Sequence, residues 1–137
     1  MTEFVSEVKT IPYNQRSVYE VLSDLSNLER VKDKIPQDKV SDLTFNTDSC
    51  SFTISPVGNV TFSIIEREPE STIKFTAEKL PVEMYLWIQL KATGESETKM
   101  KLTVKAELNM IIKQMVSKPL QDGINRLADV LATIPYN

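Results

Sequence analysis

Three features of the sequence predict an α+β domain in which a curved antiparallel sheet of about seven strands wraps around one long C-terminal helix. Residues 109–135 carry apolar side chains at Ile112, Val116, Leu120, Ile124, Leu127, Leu131 and Ile134, steps of three and four that keep one stripe on one side of a helix. Most of residues 40–108 alternates apolar and polar, the period of strands with one wet face. The connections between these runs are short, with no repeat, low-complexity tract or linker, so residues 1–137 read as one domain.

Taken in order, residues 2–11 read as a first strand with Phe4, Ser6, Val8 and Thr10 on one face. Pro12 ends it, and Asn14 is a helix N-cap candidate before Val18, Val21, Leu22 and Leu25 at helical spacing. A second short helix is expected from about Ser26 or Asn27, holding Leu28, Val31 and Ile35 until Pro36 stops it. Strands follow over 40–46 and from Cys50 through Phe52 and Ile54, with turn chemistry at residues 55–59. Val60, Phe62 and Ile64 share the next inward face, which by simple alternation extends to Glu66. Ile73, Phe75 and Ala77 make another. Two longer strands, one with Met84, Leu86, Ile88 and Leu90 and one with Met100, Leu102, Val104, Ala106 and Leu108, are joined by Thr93-Gly94-Glu95-Ser96 into a hairpin.

In the last helix, Lys113, Gln114, Lys118, Gln121, Asp122, Asn125, Arg126 and Asp129 fall opposite the apolar stripe and are expected to face solvent. Asp122 and Arg126, four apart, read as a solvated pair. Pro119 removes an N–H and should kink the helix or divide it near Ser117. Gly123 costs about 1 kcal/mol relative to Ala in mid-helix, so it is expected either to have a strand side chain pressed against it, the favoured reading, or to leave room for a ligand.

Composition narrows the chemistry. Sixteen Lys and Arg against nineteen Asp and Glu leave a net charge of −3, mixed along the chain, which disfavours a nucleic-acid partner. No apolar run reaches the length of a membrane span, and the N-terminus lacks the pattern of a secretory signal, so a cytoplasmic protein is expected. There is no His, one Cys (Cys50), and three Gly outside any phosphate-cradling loop. Nucleophile pairs built on His, thiolate-rich metal sites and nucleotide cofactors are therefore not expected, and no cofactor or metal is assigned.

Residues 8–24, VKTIPYNQRSVYEVLSD, together with the order strand, two short helices, six strands and a long helix, resemble the START-related, birch-pollen-allergen-like superfamily (the SRPBCC group, helix-grip fold). The strand ends in a Pro-containing turn, a short helix carries Val18 and Leu22, and Leu22-Ser23-Asp24 matches a frequent closing triplet of that group. The end of the chain, KPLQDGINRLADVLATI, is similar to bacterial members of the polyketide-cyclase-like and carbon monoxide dehydrogenase accessory-subunit-like kinds. One departure is the absence of an aromatic residue shortly after Asp24, where Leu28 and Val31 stand. The resemblance implies an apolar pocket between sheet and helix holding a small hydrophobic or amphipathic molecule such as a lipid, a quinone or a polyketide, as carrier or sensor. The positions that would line it are Phe52, Phe62, Ile64, Phe75, Met84, Leu86, Ile88, Met100, Leu102 and Val104 from the strands. From the helix come Met115, Pro119, Leu120, Gly123 and Leu127. Met84, Met100 and Met115 suit a surface that adapts to several apolar ligands, though core filling is the commoner use of Met and the favoured reading.

Two other functions stay open at this level. A cyclase or dehydratase would use carboxylates or phenols; Glu66, if it faces inward, is the catalytic candidate, with Glu78 and the tyrosines Tyr13, Tyr19 and Tyr85 behind it. The sequence shows no convergent acid–base pair, which favours binding over catalysis. A protein-interaction module would use Trp87, which shares with Tyr85 the face opposite to Met84, Leu86 and Ile88 and so points outward.

Overall fold

A computed structural model describes residues 1–34, 40–54, 58–78 and 82–136. The strands are β1 (Thr2–Val5), β2 (Lys9–Ile11), β3 (Val40–Phe45), β4 (Ser49–Ile54), β5 (Gly58–Glu68), β6 (Thr72–Glu78), β7 (Met84–Gly94) and β8 (Glu97–Ala106). The helices are α1 (Gln15–Leu22) and α2 (Met110–Ala132), with a 3-10 segment, Leu25–Lys34, after α1. The expected second short helix is this segment; Ile35 and Pro36, and the turn and strand-end residues Ser55, Pro56, Val57, Leu80 and Pro81, lie outside the described residues.

All pairings are antiparallel, in the order β1-β8-β7-β6-β5-β4-β3, with β2 also on β8. Asn14, the expected N-cap, caps α1, and Asn109 caps α2. Asn14 Oδ1 accepts from Ser17 N–H, and Asn109 Oδ1 accepts from Ile112 N–H, satisfying amides that have no intrahelical partner. Among the described residues no helix is long and apolar enough to cross a membrane.

Register identifies the two faces. Phe4, Val104, Leu86, Phe75 and Ile64 stand directly opposite one another across five strands, and Leu102, Ile88 and Ile73 form the next row. These rows face α1 and α2 and are almost wholly buried at their centre. Burying each such side chain contributes roughly 1.5–3 kcal/mol.

Two local departures change what faces inward. The first strand is broken: residues 6–8 interrupt it between β1 and β2. Ser6 bridges the gap, its N–H donating to Leu102 O and its Oγ accepting from Leu102 N–H. Val8, expected on the Phe4 face, is instead largely exposed, and Ile11 takes the buried place. The second departure is a bulge in β5. Ile64 pairs with Phe75 but Glu66 pairs with Lys74, so Ile65 is the extra residue and every side chain after it changes face.

Candidate functional site

The long helix is held to the sheet by one of its two halves. In the C-terminal half Ile124, Ala128 and Leu131 are buried against the sheet, and α2 packs on β8, β1 and β2. Beside this apolar seam runs a polar one. Gln121 Nε2 donates to Val5 O (2.8 Å), Asn125 Oδ1 accepts from Glu7 N–H (3.0 Å), and Asp129 forms an ion pair with Lys9. Helix steps of four thus meet strand steps of two, and Glu7 N–H, free of a ladder partner at the strand break, is satisfied by the helix. The Asp129 carboxylate holds the Lys9 ammonium above its ordinary pKa. Gln121, Asn125 and Asp129 were expected to face solvent; Asp129 stays exposed, while Gln121 and Asn125 are half-buried. Their position is set by the broken edge strand, which periodicity along the helix does not report.

Beyond the helix, Tyr136 closes that end of the core. Its ring meets Tyr13 edge-on at 6.0 Å, and its hydroxyl donates to Leu131 O (2.6 Å). Burial pushes the Tyr136 phenol well above its usual range. Tyr136 lies just past the apolar stripe of residues 109–135, so helical periodicity does not point to it.

The N-terminal half of α2 is different. Met110, Ile111 and Met115 are among the most exposed large apolar side chains of the molecule, and Ile112, Val116 and Leu120 are only half-buried. On the sheet, several inward side chains of β4 and β5 are likewise half-buried, Cys50 and Phe52 on β4 and Phe62 and Ile64 on β5, with Phe45 at the end of β3; Val60, opposite Phe52, is buried. Phe52 and Phe62 stack with centroids 5.9 Å apart. Together with Met84 and Leu108, these side chains form an apolar trough on the side of the sheet that α2 does not clamp. The end of β4, the end of β6, the start of β7 and the start of α2 all lie at one end of the sheet.

The predicted lining divides cleanly. Phe75, Leu86, Ile88, Met100, Leu102 and Val104 form the buried floor. Phe52, Phe62, Ile64, Met84 and Leu120 are half-buried walls. Met115, Pro119, Gly123 and Leu127 are exposed and lie off the trough. Ala128 takes the buried place expected for Leu127, because the stripe of α2 follows its contacts with β8 and the β1–β2 edge. A Cβ added at Gly123 would meet nothing within 4 Å, so no strand side chain presses on it. Pro119 lies within the helix without dividing it. Asp122 and Arg126 are exposed and, among the described residues, form no ion pair. Phe45, Cys50 and Leu108 were missed as lining, although Cys50 alternates visibly with Phe52.

Glu66, the catalytic candidate, is exposed on the outer face, as is Glu78. The Ile65 bulge is the reason: it carries Glu66 to the Lys74 and Trp87 side and turns Arg67 inward. There Arg67 Nε donates to Ser23 O (3.0 Å) and Nη2 to Asp48 Oδ1 (2.6 Å), tying β5 to the end of α1 and to the β3–β4 turn. The inward side chains of β4, β5 and β6 up to the bulge are apolar apart from the Cys50 thiol, which burial pushes up to about 11. Among the described residues no group of His, Cys, Asp and Glu could hold a metal ion.

Two shallow depressions, of about 220 and 310 Å³, lie on the opposite, outer face. Trp87 lines both, half-buried, with Lys74 Nζ 5.2 Å and Lys105 Nζ 5.5 Å from its ring centroid. Neither depression borders the apolar trough.

A sheet gripping a C-terminal helix over an apolar interior is the helix-grip fold of START-like and birch-pollen-allergen-like proteins, and this chain has it. Norcoclaurine synthase of Thalictrum flavum superposes with a TM-score of 0.74 at 15% identity, over 96% of this chain and 92% of that one. A further structure of that enzyme, in complex with dopamine and hydroxybenzaldehyde, superposes with a TM-score of 0.71 at 15% identity, over 96% and 85%. A START superfamily protein of Mycobacterium smegmatis gives 0.63 at 8% identity, over 95% and 94%. No family model and no curated protein matches the sequence.

Proposed function

We propose that the protein binds a small hydrophobic or amphipathic molecule in the trough between the N-terminal half of α2 and the inner face of β3–β6, as a carrier or sensor. The observation that supports this most directly is the row of half-buried apolar side chains there, Phe52, Phe62, Ile64, Met84 and Leu120, beside a floor that is fully packed. Half-exposed phenyl rings retain apolar surface that a ligand would remove from water, at about 25 cal/mol per Å². The trough is apolar, so the ligand portion it holds is a hydrocarbon chain or ring, with any polar group outside it. The likeness to an enzyme solved with two small aromatic molecules is consistent with a ligand seat in this fold. Glu66 is removed from the proposal as an acid or base for that seat, since it lies on the other face.

Cys50 gives a direct test because it is the sole cysteine and sits beside Phe62. An apolar ligand in the trough should slow alkylation of Cys50 and raise the melting temperature, and Phe62→Ala should weaken both effects. Native mass spectrometry of protein taken from its own host should show a bound organic molecule. If no lipid, quinone or aromatic polyketide in a broad panel alters either readout, and the purified protein carries no adduct, the proposal is wrong.

A further inference from the structure

The outer face of the sheet carries a charge arrangement that the trough does not use. Although the chain is acidic overall, β6, β7 and β8 present Lys74, Lys91, Lys99, Lys101 and Lys105 on this face. One strand further out, β5 presents Glu66 and Glu68. Among the described residues Glu66, Glu68 and Lys101 have no ion-pair partner, and Lys74 is held over the rings of Tyr85 (4.9 Å) and Trp87 (5.2 Å). The acidic pair and the basic pair Lys101 and Lys105 therefore lie on opposite sides of Trp87, three strands apart, or about 14 Å.

We propose that this face is an interface with a second copy of the chain, related by a two-fold axis that runs parallel to the strands between β6 and β7. A two-fold axis of a face-to-face dimer lies in the interface and inverts the direction perpendicular to itself. With the axis along the strands, β5 of one copy meets β8 of the other, and β6 meets β7. Glu68 then stands opposite the second copy's Lys101, because both belong to the row that also contains Thr72 and Gln89. Glu66 falls between the second copy's Lys101 and Lys105. Lys74 meets the second copy's Trp87. Every contact is made twice, so a face neutralised only in part within one chain is complemented by itself.

The acidic flank argues for this occupant over a polyanion. A nucleic acid or an anionic bilayer would be attracted to the lysines but repelled by Glu66 and Glu68 on one side. Glu3, already 3.6 Å from Lys105, adds repulsion on the other. The two depressions beside Trp87 leave room for side chains from the facing copy.

Charge reversal tests the arrangement without relying on a single variant. Sedimentation velocity over a concentration series should show a dimer that weakens about tenfold or more when salt is raised from 0.1 to 0.5 M. The emission of Trp87, the sole tryptophan, should shift over the same concentrations. The variant E66K/E68K makes both flanks basic and should be monomeric; K101E/K105E makes both acidic and should be monomeric too. Mixed in equal amounts, these two should form a heterodimer, since every contact is again between opposite charges. Circular dichroism checks that each variant is folded, and E66Q/E68Q with K101Q/K105Q serve where it is not, each weakening the dimer. A chain that stays monomeric at millimolar concentration overturns the proposal. So does a dimer indifferent to both reversals, or a pair of reversed variants that do not associate when mixed.

Discussion

The two halves of α2 share one helix and one N-cap yet face different conditions. From Gln121 onward the helix is clamped by Ile124, Ala128 and Leu131 from below and by Gln121, Asn125 and Asp129 along the β1–β2 edge. From Met110 to Leu120 its apolar residues are half-buried or exposed, and the sheet side chains in front of them are half-buried as well. A helix can thus be anchored over part of its length and serve as a wall over the rest. Under the proposed function, stability and ligand binding fall to different residues of one element.

Substitutions should separate these roles, and the largest effect belongs to the clamp. Leu131→Ala removes a buried side chain next to Tyr136 and should cost about 2–5 kcal/mol in urea unfolding. A loss below about 1 kcal/mol would mean that the C-terminal half is not the anchor. Asn125→Ala takes the acceptor from Glu7 N–H and should cost about 1 kcal/mol, less than Leu131 because the site is partly wet. Gly123→Ala should raise stability by about 1 kcal/mol, since the added methyl meets nothing and a flexible backbone position is removed. A loss there would show an unseen contact with the helix.

The wall should respond more weakly. Cys50 titrates near 9.0 in the unfolded chain and about 11 when folded, so the folded state retains its proton longer. The stability that this burial of the neutral thiol contributes is complete below pH 9 and falls as pH rises from about 9 to 11. Cys50→Ser should remove that component of the pH profile, measured as unfolding free energy against pH. Smallest of all, Met115→Gln, at an exposed site, should change stability by less than about 0.5 kcal/mol, while any effect on ligand binding would bring the exposed face of the helix into the site.

Much of this fold is legible in the chain. Alternation in Met84–Gly94 and Glu97–Ala106 located the long hairpin, Asn14 announced the start of α1, and the apolar stripe of residues 109–135 located α2. The floor of the trough followed from the same alternation. What failed did so at register changes. One extra residue at Ile65 moved Glu66 from the expected interior to the outer face, and the break at residues 6–8 reversed the fate of Val8. Neither carries a Gly or Pro that would mark an irregularity, so nothing local distinguished them from regular strand.

Periodicity and capping are properties of a segment about its own axis, so the sequence by itself determined the order of helices and strands and the apolar side of each regular stretch, up to the break at residues 6–8 and the bulge at Ile65. Which part of an apolar side is actually covered depends on the neighbour that arrives, and that was decided only in the folded molecule. The broken β1–β2 edge offers Val5 O, Glu7 N–H and Lys9 at the spacing of Gln121, Asn125 and Asp129, and this match places the clamp at the C-terminal half of α2 and leaves the N-terminal half as the wall of the trough.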